Sequence, residues 1–229
     1  MKIAILGTGV VGQTIAEKLG SLGHQVMIGT RSTAETLART NPDNFGRPPF
    51  KEWHEKNPEI KFGTYDQAAA FGEFIVNATN GAGTLAALEQ AGEKNLSGKV
   101  MLDISNPLDF SKGMPPSLFV SNTDSLAEQI QRTYPAAKVV KSLNTLNAYL
   151  MVNPALLPDD HHVFLNGNDE EAKKQIREML ITFGWKSDNI IDLGDITTAR
   201  GTEQWLPLWA RLWMATGNPM FNLKIVMGK

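Results

Sequence analysis

Three glycines at fixed spacing, Gly7, Gly9 and Gly12 in Gly7-Thr8-Gly9-Val10-Val11-Gly12, are the first residues of this chain that could do chemistry. Glycines spaced this way bind the pyrophosphate of a dinucleotide: Gly7 permits a tight turn, Gly9 lets backbone approach the phosphates, and Gly12 lets the next helix pack on its sheet. A second set follows in Ile28-Gly29-Thr30-Arg31-Ser32. An NAD site would place Asp or Glu there for the ribose, whereas two hydroxyls and a guanidinium suit a 2′-phosphate, so NADP(H) is expected. A third set gathers small polar groups after apolar runs: Ala78-Thr79-Asn80, Ser105-Asn106 and the Ser142 to Asn147 stretch with Asn144. Asn80, Ser105, Asn106 and Asn144 are candidate positioning groups for a nicotinamide and its reaction partner, while Ala78, Thr79 and Asn80 are candidates for the nicotinamide ribose. Gly81 and Gly83 could equally cap the next helix, and Ser105 and Asn106 could simply satisfy a turn ahead of Pro107.

The elements that must hold these residues are legible as alternating patterns. Ile3 to Leu6 reads as a buried strand, followed by a helix with Val11, Ile15, Leu19 and Leu22 on one face and a strand from Gln25 to Gly29. Further strands are expected at 60–62, 74–78, 100–104, 138–141, 163–166 and 190–193. Helices are expected at 33–40, 66–71, 84–93, from the capping box at Ser125 to before Pro135, and after a cap at Asn168 or Asp169 with Ala172, Ile176, Leu180 and Phe183 inward. The pattern predicts an α/β fold of Rossmann type, a doubly wound, mainly parallel sheet, over residues 1–195. Residues 196–229 read as a C-terminal helical extension. There Trp205, Trp209 and Trp213, with Leu208 and Leu212, form a stripe expected to make a homodimer interface and line a substrate pocket, packing on the sheet edge being the alternative.

The stretch 41–58 holds four prolines with Phe45, Phe50 and Trp53 between them. It reads as an irregular insertion anchored by its own aromatics, or as a flap over the adenosine side. His24 reads as a turn residue, and His161 and His162 as surface residues. Composition narrows the rest: 42% hydrophobic residues, 20% charged and a net charge of -2 suit a globular chain with small-molecule partners and no nucleic acid. Without cysteine, thiolate metal sites and thiol catalysis are excluded, and no metal site is expected. No stretch approaches the roughly 18 apolar residues of a membrane span, so no membrane partner and a cytoplasmic setting are expected.

Together, Gly7 to Gly12, Gly29-Thr30-Arg31-Ser32, Asp103-Ile104-Ser105-Asn106-Pro107-Leu108 and Val139-Val140-Lys141-Ser142-Leu143-Asn144-Thr145 resemble the coenzyme F420-dependent NADP oxidoreductase family. That family includes the F420:NADP oxidoreductases, and the STEAP ferric reductases carry a related domain. The resemblance runs on through residues 194 to 226. It implies an oxidoreductase that passes a hydride between NADP(H) and a flavin or the deazaflavin coenzyme F420. It also implies pyrophosphate contacts from Thr8, Gly9, Val10 and Val11, a 2′-phosphate clamp from Thr30 and Arg31, and a contact of Ala148 near the nicotinamide. Where archaeal members carry a histidine, this chain has Asn144. Two other readings compete: an NADPH-dependent carbonyl or imine reductase with Lys141 as proton donor, and a non-catalytic NADP(H) sensor whose aromatic tail binds a protein.

Overall fold

The computed structural model describes residues 1–42 and 46–228. The expected Phe45 anchor lies outside them. The first half alternates β1 (Lys2–Leu6), α1 (Val10–Ser21), β2 (Gln25–Thr30), α2 (Thr33–Ala38), α3 (Phe50–Lys56), β3 (Lys61–Thr64), α4 (Tyr65–Phe71), β4 (Phe74–Asn77), α5 (Thr84–Ala91), α6 (Glu93–Leu96) and β5 (Val100–Asp103). A small antiparallel pair, β6 (Leu108–Asp109) and β7 (Ser117–Leu118), then precedes α7 (Leu126–Thr133), β8 (Lys138–Lys141) and α8 (Ala148–Val152). The chain continues with β9 (Val163–Gly167), α9 (Glu170–Phe183), β10 (Ile190–Asp192), α10 (Ala199–Gln204) and α11 (Leu206–Thr216).

Eight strands form one sheet in the order β10-β9-β8-β5-β4-β1-β2-β3. The strand order reverses at β1, so β1 and β4 flank the switch point where ligands of such sheets sit. Alternation along β1 shows why the layers form: Ile3 and Ile5 join a core with α1, α8 and α9, while Ala4 and Leu6 join a second core with α4, α5 and α7. The Rossmann-type α/β expectation holds.

Several details differ from the sequence expectation. The stretch 41–58 is not wholly irregular: Pro49 is the N-cap of α3, Phe50 is buried in the core, and Trp53 donates to Glu17 on α1. The tail is helical only to Thr216, because Gly217 adopts a left-handed φ of 67° and stops α11. Within α11 the stripe divides. Trp209 stacks on Phe221 at 5.5 Å and tilts against Trp213, whereas Leu208 and Leu212 face outward.

β9 runs antiparallel to β8, with Lys141 opposite Asn166, and β10 runs parallel to β9. Val163 therefore lies three residues beyond the end of β8, about 10 Å past it along the strand. His161 and His162, expected at the surface, are buried at the start of this overhang. His161 Nε2 is bonded to the Pro154 carbonyl, Asn222 Nδ2 meets His161 Nδ1 at 2.8 Å, and the Ile225 N–H donates to His162 Nδ1. The segment after α11 thus folds back onto β9.

Ahead of α7, Arg132 grips Asp124 with both terminal nitrogens at 2.9 and 2.8 Å. Those bonds, opposed by partial burial, lower the Asp124 carboxyl from 3.8 to about 2. A depressed carboxylate stabilises the fold above its ordinary pKa and loses that contribution as pH falls through its folded value. Asp124→Asn should therefore cost up to about 1 kcal/mol in urea unfolding at pH 7, since the Arg132 end is exposed. The difference from wild type should close as pH falls from 3.8 through about 2.

Candidate functional site

The three glycines of the first turn occupy three different environments. A Cβ on Gly7 would lie 2.5 Å from the Ala78 carbonyl oxygen, and one on Gly12 would lie 2.2 Å from the Gly7 oxygen. A Cβ on Gly9 would meet nothing within 4 Å. Gly7 and Gly12 are thus glycine for packing, while Gly9 opens onto space. Gly9 is also the N-cap of α1, where no side chain caps and no acidic residue stands in the first turn. The N–H groups of Val10 and Val11 are left by local side chains for an incoming anion, which the helix dipole favours. Thr8, Gly9 and Val10 line a groove of about 650 Å³ that extends over α1 to α3. This arrangement fits the pyrophosphate of a dinucleotide.

Toward α2 and α3 that groove is lined by charges of both signs. Arg39, Arg47 and Lys56 line it with Glu17 and Glu52, together with Phe50 and Trp53. Of the expected 2′-phosphate set, Thr30 is buried and shares a hydrogen bond with Thr36, and Ser32 caps α2 by accepting from the Glu35 N–H. Arg31 is exposed at the end of β2. Burial raises the Tyr65 phenol above its ordinary value, while the charges of Arg31 and Arg39 both pull the other way. Arg39 escaped the sequence reading because it follows α2, and only the fold returns it to the groove.

At the other end, the residues expected there stand at the exits of β4, β5 and β8, where Asn106 and Asn144 bond each other. Asn80 is exposed and caps the turn after it, its side chain accepting from the Ala82 N–H, and Thr79 bonds both Asn77 and Thr84. Asn106 Nδ2 donates to the Asn144 carbonyl and Asn144 Nδ2 donates to Asn106 Oδ1, both at 2.9 Å. The Ser105 hydroxyl donates to Asp103 at 2.7 Å, and Ala148 opens α8, buried against α1. Beside Asn80 a second cavity of about 670 Å³ is walled by Leu85, Leu108, Phe110 and Phe119. Its aromatic lining, Phe110 and Phe119, directly follows the two strands of the β6–β7 hairpin.

Beneath these exits lies a charge cluster. Lys141 is fully buried, with Nζ 2.7 Å from Asp103 Oδ2, 2.8 Å from Glu203 Oε1 and bonded to the Ser105 carbonyl. Desolvation disfavours the ammonium, but Asp103 and Glu203 outweigh it and hold Lys141 above the ordinary lysine value. All three of its N–H bonds are committed. Asp103 accepts from Asn77 and Ser105 as well, and Glu203 from the Leu126 and Ala127 N–H groups at the start of α7. Glu203 has no signal in the sequence that ties it to Lys141. Among the described residues no cluster of three or more His, Asp or Glu could hold a metal, and no helix is long and apolar enough to cross a membrane.

Sheet order and glycine turn define a dinucleotide-binding protein of the Rossmann class. A family model described as NADP oxidoreductase, coenzyme F420-dependent, matches residues 2–107. A solved structure from Arthrobacter sp. FB24, named provisionally as an F420-dependent NADP-reductase, is 54% identical, covers 99% of this chain and all of its own, and has a TM-score of 0.94. The chain belongs to this family of NADP oxidoreductases. Metalloreductase STEAP3 of Rattus norvegicus is 28% identical over 213 residues, covering 91% of this chain. The chain spans 38% of the length of that relative. An imine reductase of Streptomyces aurantiacus shares the fold at 15% identity and a TM-score of 0.62, covering 94% of this chain and 63% of its own.

Proposed function

We propose that the protein transfers a hydride between NADPH and a flat flavin-like acceptor, with the deazaflavin coenzyme F420 the favoured member of that class. The observation that carries this reading is the state of the nicotinamide end: Asn106 and Asn144 bond each other while Ser105 and Lys141 are held by Asp103 and Glu203, so these residues position groups without supplying an acid or base. Transfer between stacked rings needs proximity and orientation above all. NADPH, when bound, supplies the hydride, and the acceptor takes its balancing proton from water. Gly9, Val10 and Val11 hold the pyrophosphate, Thr30 and Arg31 with Arg39 the 2′-phosphate, and Asn80, Asn106 and Asn144 frame the nicotinamide. The cavity beside Asn80, with Phe110 and Phe119 in its wall, suits an aromatic acceptor. The likeness to the Arthrobacter protein supports F420 within the class.

The carbonyl or imine reductase reading needs a proton donor, and Lys141, buried with every N–H engaged, does not offer one. The proposal includes a homodimer through the C-terminal helices, supported by the outward Leu208, Leu212 and Met214 of α11.

The test is stereospecific transfer from NADPH deuterated at C4 to coenzyme F420, FMN, FAD and small carbonyls. Reduction of F420 or a flavin from one face of the nicotinamide is expected. Turnover of carbonyls alone would replace this reading with the reductase, and tight NADPH binding without any turnover would replace it with the sensor. In the same assay Arg31→Ala should raise the KM for NADPH roughly 10- to 100-fold, from the loss of charge-assisted bonds to the 2′-phosphate, while leaving NADH unchanged.

A further inference from the structure

The segment that follows β10 reaches the nicotinamide end of the crevice with three successive grips on one short stretch. The Thr202 carbonyl accepts from Asn144 Nδ2 at 3.2 Å, Glu203 pairs with Lys141, and Trp205 Nε1 donates to the Thr145 carbonyl at 2.9 Å. Between those grips, Leu143 stands in the left-handed region at φ 61°, a conformation that costs a non-glycine residue energy and persists only where its surroundings impose it. Glu203 also has its second hold, on the first N–H groups of α7, so it links α7, β8 and, through Lys141 and the Ser105 carbonyl, the exit of β5. Residue by residue, α10 braces the loop that carries Asn144 and the strand end that carries Asn106.

We propose that Glu203 is a positioning residue for hydride transfer, fixing the nicotinamide end of the site through Lys141 while leaving the adenosine end untouched. Glu203 sits below the crevice floor, 2% exposed, and acts on the site through Lys141 and the Ser105 carbonyl. Its influence therefore separates the two halves of one ligand. The adenosine half lies over α1 to α3, on residues that Glu203 does not touch. The nicotinamide half depends on the strand exits that Glu203 ties together. The inference rests on the NADPH reading above and adds to it a residue outside the crevice.

The test compares wild type, Glu203→Gln and the double variant Lys141→Met/Glu203→Gln, all in the full chain. The double variant preserves the net charge of the buried cluster, so it reports even where the single variant does not fold. Two ligands are titrated by fluorescence: 2′,5′-ADP, which carries only the adenosine half, and NADPH. Binding of 2′,5′-ADP should stay within about twofold of wild type, as for independent sites. The additional affinity that NADPH gains from its nicotinamide half should be lost. Single-turnover hydride transfer to the acceptor identified for wild type should fall by about 100-fold, the penalty for a misplacement near 1 Å, with mixed-face transfer of the C4 deuterium. Wild-type rate and retained nicotinamide affinity in a folded variant would overturn the proposal, as would an equal loss for both ligands, which marks a general structural role. A wild-type protein that binds both ligands yet reduces no acceptor would sink the hydride-transfer reading alone, and the binding comparison would still decide the role of Glu203.

Discussion

Gly9→Val should abolish NADPH binding and leave the fold nearly intact, while Gly12→Ala, three residues later, should do the reverse damage to the fold itself. The valine at position 9 enters open space at an ordinary φ of -75°, and replacing glycine at that N-cap costs under about 1 kcal/mol. That open space is where the pyrophosphate is proposed to lie. Filling it removes several bonds to a charged group at about 1.5 to 3 kcal/mol each, so affinity should drop by at least about 100-fold. At position 12 even a methyl carbon meets the Gly7 carbonyl oxygen at 2.2 Å, and the turn must move away from α1. A cost of about 3 kcal/mol follows, with a fall in Tm of roughly 6 to 12 °C for a chain of this size. Melting curves beside NADPH titrations of the two variants would check both halves. A Gly9→Val protein that keeps its affinity would remove the pyrophosphate from this turn.

The second large effect is expected at Lys141. Lys141→Met leaves Asp103 and Glu203 buried together without their cation, and breaking a buried pair from one side costs about 3 to 5 kcal/mol. Urea unfolding at pH 7 should show this loss, and Lys141→Met/Glu203→Gln should recover a large part of it. A single variant as stable as wild type would contradict the geometry of the cluster. In the wild type the sign with pH is that of a raised lysine: the contribution is complete below the ordinary value of 10.5 and is lost only as pH rises through the higher folded value. Loss of activity on removing Lys141 consequently reports a collapsed floor and carries no evidence for a proton donor.

How much of this could be read from the residues depends on how local the cause is. The strand Lys138–Lys141 and the cap of α7 by Ser125 are set by neighbours within a few positions, and both stand where expected. The glycine turn is equally local. Helix α3 was hidden because Pro48 and Pro49 read as breakers, although a proline just ahead of a helix is compatible with its start. Gly217-Asn218-Pro219 is a local stop signal, and α11 ends there although the expected extension runs past it. The direction of β9 leaves no trace in an apolar run, since either direction buries the same faces. Of the candidate site, the glycine turn and the polar exits of β4, β5 and β8 follow from residues close in sequence. The partners that hold Asn144 and Lys141, the Thr202 carbonyl and Glu203, come from residues near 200, and no periodicity announces them.

The clasp of Glu203 on the start of α7 also bears on the order in which a nascent chain can mature. Asp103 and Lys141 leave the ribosome long before Glu203 does, and the first N–H groups of α7 wait for an acceptor that lies 77 residues further on. Contacts of that separation form late and slowly. The first half thus cannot finish its own floor until α10 has emerged, and a chain halted before α10 would present chaperones with an incomplete crevice.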